Sequence, residues 1–265
     1  MISSARVLVV AGSDSGAGAG IQGDIKTILA CGAYATTAIT ALTAQNTLSV
    51  STVHAPPAAF VEAQMQAILE DIGADIVKTG MLWSAGIIRV VAKKLQEFPQ
   101  IKLVLDPVMI STSGSMLLKP RACKDLRELL FPRAYVVTPN IPEAEFLSKI
   151  KITGRATMKM AAEKILTFGP EAVFLKGGHS DADVIDNLLL RKNAAEKWFS
   201  VPRIFSKNTH GTGCACASAI AAFLARGDEL ELAIERALKY VSAAIANAPQ
   251  LGKGHGPLGH LVLDV

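Results

Sequence analysis

The chain has 265 residues, half of them hydrophobic and 19% charged, with 40 Ala and 21 Gly. That composition excludes a disordered chain and provides enough core to fold without disulfide or metal staples. The net charge is +4 with no Lys/Arg run of five or more, so no nucleic-acid partner is expected.

A membrane needs a closer look. From Thr27 to Val61, 35 residues carry no formal charge if His54 is neutral, and a bilayer span needs only about 20 apolar residues. Gly32, Gln45, Asn46, His54, Pro56 and Pro57 interrupt the stretch, so it does not read as a span. No basic region precedes the short apolar run Val7 to Ala11, which does not resemble a signal peptide. A soluble cytoplasmic protein is expected. The cysteines Cys31, Cys123, Cys214 and Cys216 make no zinc-type pair of pairs.

Strand-like and helical runs alternate along the chain. Arg6–Ala11 reads as a buried strand, Ile21–Ala30 as a helix and the Thr/Ala-rich Tyr34–Leu42 as a strand. Ala58–Ile72 reads as a helix, with Phe60, Val61, Met65, Leu69 and Ile72 at helical spacing. Then come a strand at Asp75–Lys78, a helix at Ala85–Glu97, and strands at Leu103–Leu105 and Tyr135–Thr138. Pro142–Lys149 and Thr157–Phe168 read as helices and Ala172–Leu175 as a strand. Val184–Arg191 and Lys197–Val201 suggest a hairpin, followed by helices at about Gly213–Ala225 and Leu230–Ala248. This alternation predicts a mostly parallel sheet covered on both faces, in one domain over residues 1–265. Ligands of such sheets bind beyond the carboxyl ends of the strands, where the informative residues lie.

Four motifs stand out. Gly12-Ser13-Asp14-Ser15-Gly16-Ala17-Gly18-Ala19-Gly20 joins a strand to a helix, but its glycine spacing is wrong for a dinucleotide fingerprint. It reads either as a ligand-cradling turn or as a plain flexible one. Asn208-Thr209-His210-Gly211-Thr212-Gly213-Cys214 runs into an Ala-rich helix. Free N–H groups at such a start, with the helix dipole, make an anion site suited to a transferring phosphoryl group. Cys214, in the first turn, is expected to have a lowered thiol pKa and to help accept a proton. An ordinary Gly-rich helix start remains open.

Asn140 and Glu143, after a strand, suit Mg²⁺ shared with phosphates, or simply cap a helix. Asp106 at another strand end has a similar ambiguity, and Lys176, before Gly177-Gly178, reads either as a reach to a nucleotide phosphate or as an exposed Lys in a turn. Asp24, Gln45 and Asn46, with Met81, form the last set: an acceptor, donor–acceptor carboxamides and a flat-packing thioether that together suit an aminated nitrogen heterocycle. A turn at Gln45 and a core contact at Met81 are the plainer alternatives.

Together these segments resemble the hydroxymethylpyrimidine/phosphomethylpyrimidine kinases of thiamine biosynthesis, in the ribokinase-like superfamily. The matching segments are Ala11–Thr27, Ala38–Thr47, Val77–Leu82, Leu105–Met109, Thr138–Glu145, Leu175–His179 and Lys207–Cys214. Many related sugar and vitamin kinases carry Asp at the position of Cys214. The resemblance implies a three-layer α/β/α fold, ATP and Mg²⁺, commonly a homodimer, and phosphorylation of a small pyrimidine alcohol and then of its monophosphate. By position it implies pyrimidine contacts at Gln45, Asp24, Gly12, Met81 and Val108. It implies nucleotide contacts at Lys176, Thr209 and Asn140, and Mg²⁺ near Glu143 and Asp106. Gly211, Thr212, Gly213 and Cys214 become the anion hole and catalytic position. A pyridoxal kinase, a non-catalytic pyrimidine sensor and a nucleotide-dependent oxidoreductase are the competing readings.

Overall fold

The computed structural model describes residues 4–109, 118, 120–178 and 183–262. Its first half runs β1 (Arg6–Asp14), α1 (Gly20–Ala30), β2 (Tyr34–Gln45), β3 (Val50–His54), α2 (Ala58–Glu70), β4 (Ile76–Thr79), α3 (Ala85–Glu97) and β5 (Lys102–Leu105). The second half runs α4 (Pro120–Asp125, continued by a π turn at Leu126–Leu130), β6 (Ala134–Val137), α5 (Ile141–Ser148), α6 (Arg155–Leu166), β7 (Ala172–Leu175), β8 (Val184–Arg191), β9 (Lys197–Pro202), α7 (Thr212–Ala225) and α8 (Leu230–Ala246). Every expected element is present to within a few residues, except that β1 and β2 run further. Ser13 and Asp14 pair with Leu42 and Thr43 past a bulge, which carries both strands into the region of the motifs.

The strands form one sheet in the order β3-β2-β1-β4-β5-β6-β7-β8-β9. The six from β2 to β7 along that order are parallel; β3, β8 and β9 are antiparallel. Side chains alternate across this sheet, as the pleat requires. Val7, Val9, Ile76, Val104 and Val136 pack with α1, α7 and α8. Leu8, Val10, Val77, Leu103, Leu105 and Val137 pack with α2 to α6 on the other face. Helix α7 lies against β1, β4 and β5, with Ala215, Ala217, Ala219, Ala221 and Ala222 at most 1% exposed. Small side chains bring its axis close to the sheet, which fixes where its first turn falls. The 35-residue uncharged stretch resolves into the end of α1, β2, β3 and the start of α2. No helix among the described residues is long and apolar enough to cross a membrane.

One buried polar contact crosses these apolar layers. Lys78 on β4 and Asp24 on α1 are both fully buried, with Nζ 2.8 Å from each carboxylate oxygen. Ser218 on α7 donates a third hydrogen bond to Asp24 Oδ1 at 2.7 Å. Burial pushes the Asp24 carboxyl above the usual range; Lys78 and Ser218 offset only part of that rise, and Asp106 adds to it. Burial also works against the Lys78 charge, but Asp24, with Cys214 and Asp106 beyond it, outweighs that and raises its pKa. The sequence-based expectation that Asp24 reads a ligand is therefore corrected. Its oxygens are occupied within the protein, and the side chain is inaccessible. Removing one partner of such a pair leaves an uncompensated buried charge, which costs about 3–5 kcal/mol. Asp24→Ala is expected to lose about that much stability in denaturant unfolding, and Asp24→Leu/Lys78→Met to recover most of it. An Asp24→Ala protein as stable as the parent contradicts this role.

Candidate active site

The site lies at the carboxyl ends of the central strands. At one end, Asp14 closes β1 and organises the loop that follows. Its Oδ1 accepts from Gly16 N at 2.8 Å, and its Oδ2 from Ala19 N at 2.9 Å and Gly18 N at 3.2 Å. His210 Nε2 lies 2.9 Å from the same Oδ2. Burial opposes the Asp14 charge, but His210 and the Ala19 and Gly16 amides hold its pKa below the usual range. Gln45, at the bulged end of β2, is half-buried, and its carboxamide lies 3.2 Å from both Thr43 Oγ1 and His210 Nε2. Its backbone N–H donates to Ser15 Oγ at 2.8 Å.

Gly12 and Met81 complete this end. A Cβ at Gly12 would sit 2.6 Å from Met81 Cε, so the terminal methyl of that thioether packs directly on the Gly12 backbone and would have to move aside for any side chain there. Val108, half-buried after β5, is held by its N–H to Asp106 O at 2.9 Å.

The second end gathers three charged residues. Asp106 follows β5 and accepts from Thr138 Oγ1 and Lys176 Nζ, both at 3.0 Å on Oδ1. Burial works against the Lys176 charge, yet Asp106 and Glu143 raise its pKa and keep it protonated. Asn140 and Glu143 form a reciprocal capping box on α5: Asn140 Oδ1 accepts from Glu143 N at 2.9 Å, and Glu143 Oε2 from Asn140 N at 3.0 Å. The capping alternative for Asn140 is thus realised, and its oxygen is engaged in the helix. Glu143 Oε1 accepts from Met109 N at 3.4 Å. Burial first, then Asp106, pushes the Glu143 carboxyl up to about 7. Two buried carboxylates facing one ammonium leave an excess of negative potential that a divalent cation would relieve. Mg²⁺ is held through one or two carboxylates plus water and phosphate, so Glu143 and Asp106 fit it. The described residues hold no cluster of three or more ligand side chains, so an all-protein metal cage is not formed.

The start of α7 lies between these two ends. Gly211 is its N-cap with φ +88°, and a Cβ there would fall 1.9 Å from Gly18 O. The backbone of one glycine-rich loop therefore rests directly on the other. Thr212 turns both its amide and its hydroxyl onto Thr209 O, at 3.2 and 2.7 Å. Its donors, expected to face an anion, and the Thr209 carbonyl instead hold the turn. Among the described residues, the Gly213 and Cys214 amides find no acceptor in the protein, leaving two orphan donors at the positive end of the helix. A Cβ at Gly213 would be 3.4 Å from Lys176 Nζ, so the ammonium borders this cradle.

Cys214 is where expected, in the first turn and half-buried, but its acidity is not. Burial pushes its thiol up to about 12; Lys78 pulls the other way, and Asp24 and Asp106 add to the rise. The expected fall in pKa is corrected: desolvation exceeds the pull of the helix terminus.

Asp14, His210, Lys78 and Ser218 were not among the residues singled out by motif. Asp14 and His210 stand inside the two glycine-rich segments, hidden by the glycines. A lone Lys in the apolar β4 and a lone Asp in α1 were a pairing signal. His179, the last residue of one matching segment, lies outside the described residues.

Two unpaired amides at a helix start, a neighbouring ammonium and a carboxylate pair, on a sheet covered by helices, are the features expected of a phosphoryl-transfer enzyme of the ribokinase-like fold. Comparison with known proteins narrows this class. The chain belongs to the phosphomethylpyrimidine kinase family, whose profile matches residues 14–259. It is 52% identical over 257 residues to the thiamine biosynthesis bifunctional protein ThiED of Geobacter sulfurreducens, covering 97% of this chain and 52% of that protein. It is 44% identical over 255 residues to the hydroxymethylpyrimidine/phosphomethylpyrimidine kinase of Bacillus subtilis, covering 96% and 94%. The chain thus spans about half the length of the bifunctional relative and nearly all of the second. Among solved structures, it is similar to phosphomethylpyrimidine kinase from Clostridium difficile, with TM-score 0.81 and 42% identity over 91% of this chain and 99% of that one. It is also similar to pyridoxal kinase from Staphylococcus aureus bound to AMP-PCP and pyridoxal, with TM-score 0.87 and 33% identity over 96% and 93%.

If the 213–214 amides form the cradle, Gly211→Ala must displace them, because the new Cβ cannot coexist with Gly18 O. Losing one such donor costs about 10²–10³ in kcat. Gly211→Ala is expected to lower kcat at least that far, and near-normal turnover contradicts the assignment.

Proposed function

We propose that the protein uses ATP to phosphorylate 4-amino-5-hydroxymethyl-2-methylpyrimidine on its hydroxymethyl group, and then phosphorylates the monophosphate to the diphosphate. The observation that carries this reading is the contact of Gly211 with Gly18 O. It brings the loop that carries Asp14, beside Gln45, against the helix start that carries the orphan amides at Gly213 and Cys214, which supports a substrate end at Gln45, Gly12, Met81 and Val108 next to a phosphoryl end. The relatives named as hydroxymethylpyrimidine/phosphomethylpyrimidine kinases support the substrate class, and the AMP-PCP complex of the pyridoxal kinase supports ATP as donor.

The residues then divide the work. Gln45 pairs with the polar edge of the ring, and Met81 packs on its face. The substrate hydroxyl oxygen attacks the γ-phosphorus as the bond to the β–γ bridging oxygen breaks, releasing ADP. The Gly213 and Cys214 amides and Lys176 receive the charge spread over the transferring oxygens. Glu143 and Asp106 would hold Mg²⁺, which neutralises phosphate charge when bound. Cys214 enters as a neutral thiol that positions the substrate hydroxyl. A loose phosphoryl transition state asks little of a base, so proton loss can follow attack. A single-domain homodimer in the cytoplasm belongs to the same reading. The exposed β3 edge, with Val50 in it and Leu48 just before it, supports self-association.

The similarity to a pyridoxal kinase favours one further substrate class, a pyridine alcohol. Mass spectrometry of reactions with ATP, Mg²⁺ and each alcohol decides between them. One and then two phosphates added to the pyrimidine are expected. Transfer to pyridoxal with none to the pyrimidine overturns the proposal. A second prediction concerns acidity. With the Cys214 thiol at about 12, kcat should show no ionisation near the ordinary cysteine pKa of about 8.5 that disappears in Cys214→Ser. Such an ionisation would make a thiolate the base.

A further inference from the structure

The Gln45 carboxamide has two possible orientations, and its neighbours allow only one. The oxygen and nitrogen of an amide side chain are told apart by hydrogen-bond partners, not by shape. Suppose Oε1 faces Thr43 and Nε2 faces His210. Thr43 Oγ1 has one hydrogen and lies 2.9 Å from Ser13 O, a carbonyl that only accepts. That hydrogen goes chiefly to Ser13, the nearer acceptor, so Thr43 offers Gln45 mainly a lone pair, and two acceptors largely face each other.

The His210 side gives the same result. Asp14 is held ionised and accepts at Oδ2 from the Gly18 and Ala19 amides as well as from His210. A carboxylate only accepts, so His210 Nε2 must carry a hydrogen. A Gln45 amino group facing that N–H would set two donors against each other. Exchanging the amide ends relieves both conflicts: Gln45 Nε2 donates to Thr43 Oγ1, and Oε1 takes the lesser share, at 3.2 Å, of the one His210 Nε2–H, whose nearer acceptor is Asp14 Oδ2 at 2.9 Å. One relay then runs from Gln45 through Thr43 to Ser13, and a second from His210 to Gln45 and Asp14.

We propose that Asp14 and His210 are positioning residues that lock the Gln45 carboxamide in this orientation and so decide which edge of a nitrogen heterocycle the site accepts. This rests on the reading of Gln45 as a substrate contact. In the locked state, one lone pair of Oε1 and one hydrogen of Nε2 remain for the ligand, in a fixed left-to-right order. The opposite amide would present them reversed, and a ring carrying an amino donor beside a ring-nitrogen acceptor would meet like groups. The surroundings make the lock rigid. Gly18 has no Cβ, and one there would fall 2.4 Å from His210 Cδ2. His210 N donates to Gly256 O at 3.2 Å, and the ring is only 18% exposed.

The test is a double-mutant cycle on the pyrimidine KM with His210→Met and Gln45→Ala, plus His210→Gln, which can still donate to Asp14. Hydrogen bonds to charged groups contribute about 1.5–3 kcal/mol, so His210→Met is expected to raise KM by about 10–100-fold. His210→Gln should restore most of the loss, and His210→Met should add little once Gln45 is Ala. An unchanged KM in Gln45→Ala overturns the reading of Gln45 beneath the proposal. A large Gln45→Ala effect to which His210→Met adds fully overturns the proposal alone. Nitrogen-15 NMR of the unaltered protein gives a check that needs no variant. The His210 signals should show a protonated Nε2, and a bare Nε2 contradicts the lock.

Discussion

The buried contact of Lys78 with Asp24 and Ser218 is the constraint on which the site depends. Asp24 lies in the second turn of α1, which follows the first glycine-rich loop. Ser218 lies in the second turn of α7, which follows the second loop. Lys78 belongs to β4, between the strands that carry the two ends of the site. Tying both helices to one strand places their first turns side by side, so that Gly18 O can meet Gly211 at a distance that excludes any side chain. An apolar trio could fill the same space, and such replacements are often at least as stable. The ionic version adds direction: three hydrogen bonds of 2.7 to 2.8 Å allow one rotation of each helix.

Around this joint the charges alternate in sign. Lys78 meets Asp24, and Lys176 meets Asp106 with Glu143 behind it, while Asp14 accepts from the His210 ring and from loop amides. All lie at or beside strand ends or within two turns of a helix start, in a protein only 19% charged. Here the low dielectric strengthens each pairing, and each unpaired group becomes correspondingly costly. Glu143 shows this cost directly, since burial and Asp106 push its carboxyl up to about 7. Cys214 shows it again. Its place in a helix first turn favours the thiolate, but enclosure by protein favours the thiol more strongly. In the proposed reaction the Gly213 and Cys214 amides, which carry no net charge to desolvate, are the cheaper means of meeting a phosphoryl group.

Much of the architecture was legible in the sequence because hydrophobic periodicity and strand-to-helix alternation agree along most of the chain. The β8–β9 hairpin and the helix Ala85–Glu97 follow from pattern alone. β3 escaped because its five residues are largely exposed and carry no buried face to mark them. The extension of β1 to Asp14 escaped because glycine and serine there suggest a loop, whereas pairing to Leu42 and Thr43 keeps them extended. The glycine-rich segments, Gln45, Lys176 and the Asn140–Glu143 pair were visible as motifs. Their partners were not, because Asp14 meets His210 across 196 positions of sequence and Lys78 meets Asp24 across 54. Asp24 was misread for the same reason: its chemistry as an acceptor was evident, but its partner inside the protein was not.

The central claim is that the two glycine-rich loops form one phosphoryl-transfer site, with the pyrimidine at one end and the γ-phosphate at the other. A crystal structure with a non-hydrolysable ATP analogue, Mg²⁺ and the pyrimidine alcohol tests it most directly. The account predicts the γ-phosphate on the Gly213 and Cys214 amides beside Lys176, with the ring between Gln45 and Met81. A γ-phosphate bound away from the start of α7, or a ring bound out of reach of Gln45, would contradict it.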